Sequence, residues 1–359
     1  MTLTCRDKKN ASIPVLITLC VFLFAGEVLA RYLTVAFSLA ETQVDVQTPS
    51  QLFAKIEWFA RHPGQKIAVI GDSVVYGATM GQHGHENWRH DTLSRQLQAL
   101  YDEETLVMNF GMNGLLPADS FILGKILTQA GADALVVNIG LRAFSADFAN
   151  PDKAFSRPWL KHMAWQNSRV IFAHEEVRDI LHDSALSLEA FLKQNSALYQ
   201  MLELAQMYLF DGKPHDWIKT THSQLNAAWQ KTNTGLSPDI LLQLQTKSRF
   251  STIGLRPDTP QVNALQNILS GEWGIPTVVF YAKENPAQIE TLIRKKKFDD
   301  FHDALDRLVS AAAASGEHVS YLSAPAELRP EHFLDLVHVN SVGYSIYARA
   351  IKKELDKIL

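Results

Sequence analysis

The sequence predicts an α/β fold, a three-layer α/β/α sandwich around a parallel five-stranded sheet, and two observations carry that reading. Short apolar-rich runs recur at residues 67–70, 105–109, 134–139, 276–281 and 318–322, and the first is apolar at four successive positions, as in a strand covered on both faces. Segments with apolar residues at helical spacing separate these runs, which is the alternation of an α/β sandwich. A chain of 359 residues with 47% apolar content has ample material for a core. The net charge of −4, with no basic stripe interleaved with aromatics, argues against nucleic acid as a partner.

At the start, Arg6, Lys8 and Lys9 precede a mostly apolar run from Ala11 to Ala30, broken by Glu27 and continued after Arg31 to Ala40. A run of this length can span a bilayer, and the leading charges place residues 1–10 in the cytoplasm. Residues 11–40 are therefore expected to form a transmembrane signal anchor. The protein would be single-pass in the inner (cell) membrane, its C-terminal domain on the periplasmic or extracellular side. A cleavable signal peptide competes, since Val28-Leu29-Ala30 offers a small-residue cleavage site, but the apolar character continues past it. Both cysteines, Cys5 and Cys20, fall in this leader, so the exported part has neither disulfide nor thiol nucleophile.

Residues 41–64 read as a polar connector and a helix carrying Leu52, Ile56 and Phe59, ended by Pro63-Gly64. Residues 65–150 form the first part of the core. The first strand runs into Gly71-Asp72-Ser73, which puts Ser73 at the carboxyl end of a central strand, the edge where open α/β sheets bind ligands. A serine there, leading into a helix, has an exposed hydroxyl beside backbone N–H groups, as a nucleophile needs. The turn alone fits a helix-capping serine equally well. Residues 79–90 are rich in Gly and His, but the spacing of His83, His85 and His90 matches no ordinary zinc pattern, so a loop rimming the site is expected, with no metal and no cofactor. Trp88 in that loop suits either a substrate platform or packing. A helix over 91–101 and a strand over 105–109 lead to Phe110-Gly111-Met112-Asn113-Gly114, and the strand over 134–139 leads to Gly140-Leu141-Arg142.

From 151 to 272 the chain is helical in pattern, with Leu181, Leu188, Leu192, Leu198 and Leu202 at helical intervals; a compact core does not need it, so it reads as an inserted cap. Residues 273–359 complete the core with strands over 276–281 and 318–322, helices over 287–297 and 301–314, and a last helix capped by Ser341. Just before that helix, Asp335 stands three residues ahead of His338. A carboxylate so placed can orient the imidazole toward a serine, so Ser73, Asp335 and His338 supply nucleophile, orienter and base.

Gly-Asp-Ser at 71–73 and Asp335-Leu-Val-His338-Val-Asn-Ser-Val-Gly-Tyr344 resemble the first and last blocks of the SGNH (GDSL-type) hydrolase superfamily, over roughly residues 66–145 and 275–359. The resemblance implies a flavodoxin-like fold and acyl transfer through an ester on Ser73, with no metal. It also implies an oxyanion donor from a glycine after the second strand. The register Asn-x-x-x-x-Gly puts that role on Gly114 rather than Gly111, with Asn113 and Asp72 beside it in the substrate-binding set. Here Arg142 stands where the family's third block has an Asn. Its guanidinium could hold an anionic group, another donor could serve instead, or Arg142 could form a surface salt bridge.

The function so implied is a serine-dependent acyl ester hydrolase or O-acyltransferase acting on a cell-envelope or extracellular polysaccharide. Its expected partners are an ester or glycan substrate, a membrane-bound O-acyltransferase, and the membrane through the N-terminal helix. The alternative is a non-catalytic glycan-binding or scaffold module that retains the fold.

Overall fold

The computed structural model describes residues 17–30, 46, 49–157, 160, 196, 198, 251–292, 295–313 and 318–359. Five parallel strands form one sheet: β1 (Gln65–Ile70), β2 (Thr105–Asn109), β3 (Ala134–Ile139), β4 (Thr277–Tyr281) and β5 (Val319–Leu322), in the order β2-β1-β3-β4-β5. The flanking helices are α1 (Pro49–Arg61), α2 (Leu93–Gln98), α3 (Pro117–Gln129), α4 (Pro260–Leu269), α5 (Lys295–Ala313) and α6 (Ser341–Ile358).

Alternation along the strands sorts the core into two layers. Ala68, Ile70, Leu135, Val137, Ile139, Val279 and Tyr281 pack against α1, α3, α4 and α5. Ile67, Val69, Val107, Ala134, Val136, Val278 and Phe280 pack against α2 and α6. Both faces of the sheet are thus covered, which is why the strand sequences lack a polar face. The strand order changes direction at β1, with β2 on one side and β3 on the other, and the crevice outside the carboxyl ends opens there.

Several elements differ from expectation. Helix α3 has no counterpart in the sequence reading, because it is buried nearly all round, from Pro117 through Gly124 and again at Leu127, and so shows no polar stripe. Helix α4 lies within the 151–272 segment, yet it belongs to the sandwich. It buries Val262, Leu265, Ile268 and Leu269, and Gln261 accepts from Ala118 N at 3.2 Å and donates to Ala154 O at 2.9 Å. Truncating Leu265 to Ala would cost about 2–5 kcal/mol. Asn340, rather than Ser341, caps α6, its side chain accepting from Gly343 N. The two helices expected over 287–297 and 301–314 are Pro286–Leu292 and α5.

The remainder of the predicted cap, residues 158–159, 161–195, 197 and 199–250, lies outside the described residues. Of the predicted membrane span, residues 17–30 are helical, with Phe22 and Phe24 more than 70% exposed. Among the described residues no helix is long and apolar enough to cross a membrane.

Candidate active site

β1 ends against a crowded corner. A Cβ on Gly71 would stand 2.5 Å from both Asn138 Cβ and Val75 Cγ2, so only glycine lets the chain turn there. Asp72 caps the helical turn Ser73–Tyr76, its Oδ1 accepting from Val74 N at 2.9 Å. The Asn138 amide, from the adjacent β3, donates to the same Oδ1 at 2.9 Å and accepts from Ile139 N at 3.1 Å. Gly77, at φ +85°, closes the turn. Ser73 is thereby fixed at the mouth of the crevice.

The imidazole arrives from the other end of the chain. His338 Nε2 lies 2.8 Å from Ser73 Oγ, and His338 Nδ1 lies 2.7 and 3.0 Å from the two oxygens of Asp335. Asp335 Oδ1 also accepts from the backbone N–H groups of Val337 (3.0 Å) and His338 (2.8 Å), so one carboxylate shapes the loop and orients the ring. Two further ties hold this loop to the sheet. Asn285, just past β4, donates from its N–H to Leu336 O at 2.6 Å, and Tyr344 on α6 donates its hydroxyl to Val74 O at 2.6 Å.

The loop after β2 completes the rim. Gly111 N–H is taken by Asn109 Oδ1 at 2.7 Å, while Asn109 Nδ2 donates to Val75 O at 2.9 Å. Gly114, at φ +74°, is a left-handed turn residue, and Asn113 before it is exposed. Neither Gly114 N–H nor Ser73 N–H donates to another described residue. The Arg142 guanidinium lies against Gly114, with Nη2 and Nη1 at 3.5 and 3.6 Å from where a Cβ would stand.

Burial pushes the Asp72 carboxyl above its ordinary range, although the Val74 N–H and the charges of His338 and Arg142 oppose the rise. Burial also works to raise Asp335, but the hydrogen bonds and charge of His338 outweigh it and hold that carboxyl below 3.8. An ionised Asp335 favours the tautomer with its proton on Nδ1, leaving Nε2 free to accept from the serine.

Trp88 packs edge-on against Tyr76, ring centroids 5.7 Å apart, and is buried, which decides for packing over a substrate platform. His85 pairs with Asp91 at 2.6 Å, and no cluster of three His, Cys, Asp or Glu suited to a metal occurs among the described residues. The sequence reading gave no role to the Asn138 and Asn285 side chains and used Asn109 only to set the register of Gly114; an Asn within or just after an apolar strand is the local signal that marks each.

No family model and no curated protein matches the chain. Among solved structures it is similar to LAE5, an alpha/beta hydrolase enzyme from the metagenome of Lake Arreo, at 11% identity and a TM-score of 0.36, over 84% of this chain and 99% of that one. A second is described as "a putative acylhydrolase" from Bacteroides fragilis, at 9% identity and a TM-score of 0.34, over 84% of this chain and 94% of that one.

Proposed function

We propose that the protein is a serine-dependent acyl ester hydrolase or O-acyltransferase that works through an ester on Ser73. The observation that carries this reading is the unbroken relay from Ser73 Oγ through His338 to Asp335, at 2.8 and 2.7 Å, at the sheet edge where ligands bind. Nε2 takes the hydroxyl proton as Oγ bonds to the ester carbonyl carbon, and the carbonyl electron pair moves onto its oxygen. That oxygen faces the Ser73 and Gly114 N–H groups, with Asn113 and Asp72 at the edge of the same pocket. Collapse of the intermediate breaks the bond to the alcohol, which leaves with the proton from Nε2. Water then gives hydrolysis, and a sugar hydroxyl gives transfer.

The apolar leader supports work at the cell envelope, on an esterified glycan and beside a membrane-bound O-acyltransferase. In this reading residues 11–40 hold the protein in the membrane and the catalytic part lies outside. The reaction class is tested with p-nitrophenyl acetate. Ser73→Ala should lower kcat by about 10⁴–10⁶-fold. Equal rates in both proteins would favour the non-catalytic scaffold.

A further inference from the structure

Behind the catalytic loop lies a buried carboxylate that the acyl-transfer relay does not touch. Glu284, three residues past the end of β4, is fully buried. Its Oε1 accepts from the Tyr281 hydroxyl, and its Oε2 lies 3.7 Å from His302 Nε2 on α5. Among the described residues neither Oε2 nor Nε2 has a hydrogen-bond partner. A carboxylate oxygen facing a bare ring nitrogen would be repulsive, so the ring carries its proton on Nε2. Burial, reinforced by the charge and hydrogen bond of Glu284, pushes the Tyr281 hydroxyl well above its ordinary range, so it stays a donor. Tyr321 on β5 and Tyr347 on α6 also stand within reach of the Glu284 charge.

From this carboxylate the chain passes directly to the residue that grips the relay. Asn285 donates its N–H to Leu336 O at 2.6 Å and its side-chain amide to Asp335 O at 3.5 Å. On the other side of Glu284, Lys283 N–H donates to the Tyr347 hydroxyl oxygen at 2.9 Å. Burying a carboxylate is costly, and apolar side chains would fill the same space without that cost. Apolar side chains lack direction, whereas two oxygens that each face a donor fix the rotation of the 282–285 segment. We propose that Glu284 and His302 are positioning residues for acyl transfer, holding that segment so that Asn285 keeps Asp335 and His338 in register with Ser73. This inference rests on the acyl-ester reading of Ser73.

The test removes the two donors to Glu284 one at a time. His302→Phe keeps a ring against Phe298 and Tyr281, whose centroids lie 4.3 and 5.0 Å from that of His302, but presents no N–H to Glu284. Tyr281→Phe removes the hydroxyl and keeps its ring. In the full-length protein each should lower kcat for p-nitrophenyl acetate by about 10–100-fold, with KM within about twofold of wild type, because the groups of the relay are displaced while the binding surface stays. His302→Gln, which offers an amide N–H at the same place, should restore most of the loss. Thermal melts identify a variant that has not folded, and the other then carries the comparison.

A double-mutant cycle separates positioning from general weakening of the fold. Acting through the Asp335 loop, His302→Phe or Tyr281→Phe should lower kcat by no more than about threefold in the Asp335→Asn protein, where the relay is already broken. An equal loss in both backgrounds overturns the proposal, as does full activity in His302→Phe or a His302→Gln protein as slow as His302→Phe. A second readout needs no turnover. The downfield ¹H NMR resonance of the proton between His338 Nδ1 and Asp335 should shift or broaden in His302→Phe and stay in place in His302→Gln. An unmoved resonance in His302→Phe overturns the proposal. A wild type that turns over no ester, with a resonance that does move in His302→Phe, counts against the acyl-transfer reading alone.

Discussion

Replacing Asp335 by Asn probes the relay with little change in shape. An Asn at this position keeps one side-chain oxygen, which can still accept the N–H groups of Val337 and His338 that Oδ1 holds at 3.0 and 2.8 Å. The loop should therefore stay in place. The amide NH₂ then faces His338 Nδ1, where a carboxylate oxygen now sits at 2.7 Å. Two donors cannot face each other, so the ring must carry its proton on Nε2, pointing at Ser73 Oγ 2.8 Å away.

A protonated Nε2 cannot accept the serine proton. The expected fall in kcat is about 10³–10⁴-fold, or about 4–5.5 kcal/mol of transition-state stabilisation. The lost charge-assisted contact to the ring should lower stability by only about 1.5–3 kcal/mol. Steady-state hydrolysis of p-nitrophenyl acetate, read beside a thermal melt of the same sample, separates the two effects. A variant whose kcat stays within about tenfold of wild type, with an unchanged melt, would refute the assignment of Asp335 as the group that sets the tautomer.

Other perturbations have equally definite outcomes. Gly114→Ala places a Cβ at φ +74° and 3.5 Å from Arg142 Nη2, so it should cost on the order of 1–2 kcal/mol of stability and lower kcat by about 10²–10³-fold. An unchanged kcat would remove Gly114 from the oxyanion pocket. Asn285→Ala should slow acylation of Ser73 only a few-fold while leaving KM nearly constant, because it removes the side-chain amide that donates to Asp335 O at 3.5 Å but keeps the backbone N–H to Leu336 O; a change in KM alone would contradict this. Burial pushes the Asp119 carboxyl up to about 6, against the opposing N–H groups of Ser156 and Leu116. The folded state then holds a proton that the unfolded chain releases near 3.8, so stability should fall as pH rises from about 4 to about 6. The loss is on the order of 3 kcal/mol, and it should vanish from urea-unfolding free energies in Asp119→Asn. Equal slopes in the two proteins would contradict that cause.

The strands are legible in the sequence because a sheet covered on both faces leaves runs such as Ile67–Ile70 without a polar alternate. Ser73, Asp335 and His338 are legible for a local reason: each sits in a short pattern whose geometry is set within a few residues. Asp335, for example, bonds both the ring and the backbone N–H of His338. What depends on long-range packing stays hidden. Helix α3 shows no stripe because neighbours surround it, and α4 looks like part of an insertion until Gln261 is seen bridging Ala118 and Ala154. Asn138 reads as a stray polar residue in β3, yet its amide meets Asp72 from the adjacent strand. The closeness of the Arg142 guanidinium to Gly114 likewise joins loops after β3 and β2, which no local spacing encodes.

The central claim, that Ser73 is an activated nucleophile, is tested most directly by mass spectrometry of the full-length protein after treatment with a fluorophosphonate. A single phosphonyl adduct on the peptide containing Ser73, lost in His338→Ala, is the predicted result. An unlabelled protein, or an adduct on another residue that persists in Ser73→Ala, would contradict it.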